Sequence, residues 1–170
     1  MMTVERSAPS STPREVAAYL KAVRTLLDAA SESRQTWIRE LGVLMRADDP
    51  IAAERAIVVG GNQRALFVDL RARLAALPVP LVCQNVHEAM TSWLDKHVFA
   101  CDAMIEAGEA RELARLRVTQ GLLAEARIDL SRFNAGFAAL VQVLQDRAAR
   151  RKRIHARPAF TWPFRRRGKA

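Results

Sequence analysis

From Val16 onward, apolar residues recur by threes and fours: Val16, Leu20, Val23, Leu27, Ala30, Trp37, Leu41 and Leu44. That is the period of a helix with one face turned to a core. Three signals mark its start. Thr12 can cap, Pro13 suits the first helical position, and Glu15 completes a capping box. Asp48-Asp49-Pro50 ends this helix and opens a second, with Asp49 as cap and Pro50 in first position. The second runs through Ile57, Phe67, Leu70 and Leu74 to about Leu77, where Leu77-Pro78-Val79-Pro80 breaks it. A third helix covers roughly Pro80 to Ala107, and Gly108 reads as a tight turn. In the fourth, Leu116, Leu123, Leu130, Phe137 and Leu144 repeat every seven residues, and Ala126, Phe133 and Leu140 widen the seam to a face.

Breaks of a few residues make successive helices antiparallel neighbours. The expected fold is therefore all-α: an up-down-up-down antiparallel four-helix bundle with a basic, largely irregular C-terminal tail. The expected organisation is a disordered segment 1–12, a bundle 13–149 with helices about 13–47, 50–77, 80–107 and 109–149, and a tail 150–170. No strand alternation and no repeat of about 20–50 residues competes with it. Composition agrees, since half the residues are hydrophobic but only 6% are aromatic.

The third helix carries a near-palindrome, CQNVHEAMTSWLDKHVFAC, from Cys83 to Cys101. Eighteen residues make five helical turns, so both Cys point the same way, with His87 and His97 about 40° to either side. Val86, Met90, Leu94, Val98 and Ile105 share that face, which makes it the core face. Cys83/His87 and His97/Cys101 are weak metal candidates, because thiolate and imidazole at i, i+4 suit zinc. The two His are about 15 Å apart along the axis, so one ion cannot take both pairs. Core Cys and hydrogen-bonded His are the simpler reading, and no metal or cofactor is expected. The two Cys, about 27 Å apart on one helix, argue against an intrachain disulfide. Pairing helix four back on helix three about Gly108 matches positions whose numbers sum to about 216. That puts His97 near Thr119 and Gln120, and His87 near Leu130, beside a polar ladder of Gln120, Arg127 and Asn134.

Gly60-Gly61 interrupts the second helix, at about 2 kcal/mol relative to Ala. A helix break, close approach of a bulky neighbour such as Trp37 or Trp93, or a ligand site would each explain it. For the last, Arg34 falls on the apolar stripe of the first helix and the hairpin places Gln63 opposite it. Arg34, Gln63 and Arg64 form a possible pocket for a small anion.

Charge singles out the C-terminus. Net charge is +9, but ten of the 27 Lys and Arg lie between Arg147 and Ala170, where there is no Asp or Glu. The preceding residues carry 17 basic against 18 acidic groups, so the body is neutral. In the tail, Arg150, Arg151, Lys152, Arg153 and Arg157 precede Phe160, Trp162 and Phe164, and Arg165, Arg166 and Arg167 follow. The alternating aromatics can stack on unpaired bases while Arg contacts phosphate. An anionic membrane surface or an acidic protein would meet the same groups.

Enzyme signatures are missing: no G-x-S-x-G, H-E-x-x-H or C-x-x-C occurs. Glu125 and Asp129 at i, i+4 read as a solvated pair. No run approaches the roughly 20 apolar residues of a membrane span, and MMTVERSAPSSTP lacks the apolar core of a secretory signal, so a cytoplasmic location is expected. The sequence therefore reads as a non-enzymatic binding or scaffold bundle. Its tail would dock to nucleic acid, an anionic membrane or an acidic protein, and its body allows a homo-oligomer. The alternative is a small-ligand- or metal-binding bundle.

Overall fold

The computed structural model describes residues 11–47 and 50–155. Among them are four α-helices and no strand: α1 (Pro13–Leu44), α2 (Pro50–Ala75), α3 (Gln84–Glu109) and α4 (Leu116–His155). Single turns of 3-10 helix, Leu81–Cys83 and Leu113–Arg115, lead into α3 and α4.

α1 starts where its capping box places it. The Glu15 amide donates to Thr12 Oγ1 at 3.2 Å, and the Thr12 amide donates to Glu15 Oε2 at 2.7 Å. Two otherwise orphaned donors are satisfied, and Pro13 has none to lose. α2 begins at Pro50 as its sequence demands; the expected cap, Asp49, lies outside the described residues. The core is one cluster fed by all four helices, with Trp37, Phe67, Trp93 and Phe133 as its largest buried side chains. α3 is the central helix, packed extensively against α2 and α4, while α1 packs chiefly on α2 and sparingly on α4.

Small residues set the α2–α3 distance. Ala52, Ala53, Ala56 and Gly60 are buried on α2. A Cβ added at Gly60 would lie 2.8 Å from Ile105 Cγ1 and 3.2 Å from the Cys101 carbonyl. One added at Gly108 would lie 2.6 Å from the Ala53 carbonyl and 2.7 Å from Ile57 Cγ1. Each helix thus offers a glycine to the backbone of the other, and separation follows from the side chains at the contact. α2 is continuous through Gly60-Gly61. The compensating contact is α3 itself at Cys101 and Ile105, not Trp37 or Trp93.

Gly108 is therefore not the turn. It is the penultimate residue of α3, and the left-handed position falls to Arg111, with φ 53°. The Glu112 amide donates to the Ala107 carbonyl and the Arg111 amide to the Gly108 carbonyl, both at 3.0 Å, the bonding of a Schellman stop. Glycine is the residue such a turn prefers, but close packing on α2 has claimed it three positions earlier. The later turn shifts the α3–α4 register. Ser92 and Lys96 meet Asp129, and Gly136 meets Val86, so paired numbers sum to 221–225 rather than about 216.

α4 also outruns its expected end at 149, continuing to His155, so Arg150–Arg153 are helical rather than part of an irregular tail. Its seam fades along its length. Leu116 and Leu123 are buried, whereas Leu130, Phe137, Leu140 and Leu144 are half-buried. From Gln145 to Arg153 every residue is exposed.

Candidate functional site

The apolar stripe of α1 skips one turn between Ala30 and Trp37, and that turn carries Ser33 and Arg34. Opposite them lie Gln63 of α2 and His97 of α3. Ser33 Oγ donates to Gln63 Oε1 at 2.7 Å, and Arg34 Nε–H donates to His97 Nε2 at 3.1 Å. His97 Nδ1 lies 2.7 Å from the Trp93 carbonyl. An arginine donor on Nε2 and a carbonyl on Nδ1 fix one tautomer: neutral, with the proton on Nδ1. The ring is fully buried among Trp93, Phe67 and Trp37, at centroid distances of 4.2, 4.8 and 6.1 Å. Burial drives its pKa down to about 4; the Trp93 carbonyl resists this and the charge of Arg34 adds to it.

Arg34, Gln63 and Arg64 do not converge. Gln63 is engaged by Ser33, and Arg64 turns away to pair with Asp102 at 2.6 Å. Arg34 lines a groove between α1 and α4, where its basic companions come from α4. Burial, and then the nearby charge of Arg127, lower the Arg34 pKa. The groove between α1 and α4 holds about 540 Å³ and is lined by Arg34, Arg117 and Arg127 with no carboxylate. Arg127 and Gln120, expected on a ladder toward α3, instead face this groove.

The four residues of the metal candidate lie apart in function. Cys83 and Cys101 are buried free thiols. Burial raises the pKa of Cys83. Burial, aided by Asp102 and opposed by Arg64, pushes Cys101 up to about 12. Both thiols are therefore held in the neutral form. His87 Nδ1 shares a 3.1 Å hydrogen bond with the Tyr19 hydroxyl, and His97 has both nitrogens occupied. Among the described residues no group of three or more His, Cys, Asp or Glu is gathered about one point.

Asp129 is not on a solvated face. It is buried between α3 and α4, accepting from Ser92 Oγ at 3.0 Å and from Lys96 Nζ at 2.8 Å. Burial alone would raise its pKa. The hydrogen bonds from Lys96 and Ser92 and the charges of Lys96 and Arg132 outweigh that and hold it below the usual range. Its spacing from Glu125 gave no sign of burial, but its seven-residue distance from Leu122 and Gly136 places it on the edge of the seam.

At the far end of α4, Arg147, Arg150, Arg151, Lys152 and Arg153 are all exposed and none forms an ion pair among the described residues. Arg147, Arg150 and Arg151 stand over a cleft of about 970 Å³ that includes Val16, Leu81, Val82 and Leu140. The other expected tail residues, Arg157, Phe160, Trp162, Phe164, Arg165, Arg166 and Arg167, lie outside the described residues.

No family model matches the chain, and no curated protein and no solved structure is significantly similar to it. Among the described residues no helix is long and apolar enough to cross a membrane.

Proposed function

We propose that this chain is a non-enzymatic binding module whose C-terminal end attaches it to nucleic acid. The observation that carries this reading is the end of α4: five exposed basic side chains within seven residues, with no ion-pair partner among the described residues. Successive residues on a helix step by about 100°, so Arg150, Arg151, Lys152 and Arg153 point to all sides. A helix lying on a membrane needs an apolar face, and Gln145 to Arg153 has none. Charge on every side suits a phosphate backbone in solution. Beyond it, Phe160, Trp162 and Phe164 between Arg clusters supply stacking groups for unpaired bases.

The bundle is the rigid carrier. Pairs such as Ser33–Gln63, Arg71–Asp95 and Ser92–Asp129 support an up-down-up-down antiparallel arrangement of residues 13–149. The internal engagement of His97 and Asp129 favours binding over catalysis.

The test titrates the full chain, and a variant with Arg150, Arg151, Lys152 and Arg153 all changed to Gln, against single-stranded RNA, duplex DNA and phosphatidylglycerol vesicles. The reading requires binding to a nucleic acid that the variant loses at least tenfold. Binding to vesicles alone would replace it with a membrane reading, and binding to none would overturn it.

A further inference from the structure

The geometry points to a second binding site, separate from the end of α4: the groove between α1 and α4 takes a small anion with an apolar body, such as a medium-chain carboxylate. Three observations meet there.

The first is charge. Arg34, Arg117 and Arg127 line the groove, and none has an ion-pair partner among the described residues. Elsewhere the exposed arginines of the bundle are commonly paired: Arg55 with Glu40, Arg64 with Asp102, Arg71 with Asp95. Three like charges around one hollow repel, and an anion between them removes that repulsion. Arg34 is the anchored member. Its Nε is committed to His97, and its two Nη groups make no hydrogen bond within the described residues, leaving them for a ligand oxygen.

The second is shape. Gly42 of α1 and Gly121 of α4 both line the groove. A glycine inside a helix costs about 1 kcal/mol relative to Ala. Gly60, Gly108 and Gly136 have a reason for it, since a Cβ at each would come within 3 Å of a neighbour. A Cβ at Gly121 would meet nothing within 4 Å, and one at Gly42 would meet only the guanidinium of Arg46. Packing within the chain does not require either glycine. Together they keep the hollow open.

The third is the wall. Ile38, Leu41, Met45 and Leu123 add apolar lining to the groove alongside its cations. A volume of about 540 Å³ lies in the range of small-molecule sites. Inorganic phosphate would use the arginines and waste the wall; an uncharged chain would use the wall and leave the arginines unpaired.

The experiment is calorimetric titration of the full chain with decanoate, decanol and inorganic phosphate. Decanoate should bind saturably at one per chain, at least tenfold tighter than either of the others. The double variant Arg117→Gln, Arg127→Gln should weaken decanoate at least tenfold. Gly121→Leu, which fills the groove and leaves every charge in place, should do the same. Gly121→Ala, which enters open space, should bind less well while folding at least as stably as the parent. Neutralising Arg150 to Arg153 should leave decanoate unchanged, which separates this site from nucleic-acid binding. No saturable binding of decanoate, equal binding of decanol or phosphate, or undiminished binding in Gly121→Leu would overturn the proposal.

Discussion

Protonation of His97 should unfold this protein from its centre. The imidazole has an ordinary pKa of 6.5 in the unfolded chain and about 4 in the folded one. A lowered histidine pKa means that the unfolded state binds the extra proton between those values. Stability is therefore fully present above about pH 6.5 and is lost as pH falls toward 4. At about 1.4 kcal/mol per pH unit, the 2.5-unit gap is worth about 3 kcal/mol. That is a large part of the stability of a domain of this size. The chief cause is burial among the core aromatic rings; the facing Arg34 guanidinium adds to it, and protonation would also remove the lone pair that accepts the Arg34 hydrogen bond. The assay is urea denaturation followed by circular dichroism, from pH 7.5 to 4, for the parent and His97→Gln. Asp129 loses its contribution only as pH falls through the carboxylate range, and it does so equally in both proteins. The difference in unfolding free energy between parent and variant should therefore shrink by about 3 kcal/mol across the range. A difference that stays constant would refute the buried, neutral state of His97.

Gly108→Ala should destabilise by about 1–3 kcal/mol through the Ala53 carbonyl, and Gly60→Ala by somewhat less, whereas Gly61→Ala, with nothing within 4 Å, should stabilise by about 0.4–1 kcal/mol; thermal melts rank the three. Arg111→Gly should raise the melting temperature, since a left-handed residue at φ 53° suits glycine. Thr119→Val should be neutral or stabilising by up to about 1 kcal/mol in urea unfolding, because the buried Thr119 hydroxyl has no hydrogen-bond partner among the described residues.

What the sequence made legible was local. The capping box at Thr12, the start at Pro50 and the first two positions of the α4 seam, Leu116 and Leu123, depend on neighbours within a turn or two, and each appears where expected. Arg34 was visible as a polar residue on an apolar stripe. Its partner was not, because periodicity gives the face of a helix but not its axial offset from the next. The offset of α4 from α3 depended on the α3–α4 turn, and that turn was misplaced for a physical reason. Gly108 has the residue type of a helix stop, yet the demand of α2 for close backbone approach outweighed it, and Arg111 took the strained position. The same shift carried Asp129 into the interface with Ser92 and Lys96, where its spacing from Glu125 had read as solvated. The α1–α4 groove was illegible because its arginines come from helices far apart in sequence.

The salt dependence of single-stranded RNA binding tests most directly the claim that the end of α4 neutralises phosphates. The logarithm of the affinity should fall linearly with the logarithm of salt concentration, by about 0.7 per phosphate contacted. Changing Arg150, Arg151, Lys152 and Arg153 to Gln removes four charges, so the slope should become shallower by about 3 and the affinity should drop most at low salt. An unchanged slope in the variant, or an affinity indifferent to salt in the parent, would contradict it.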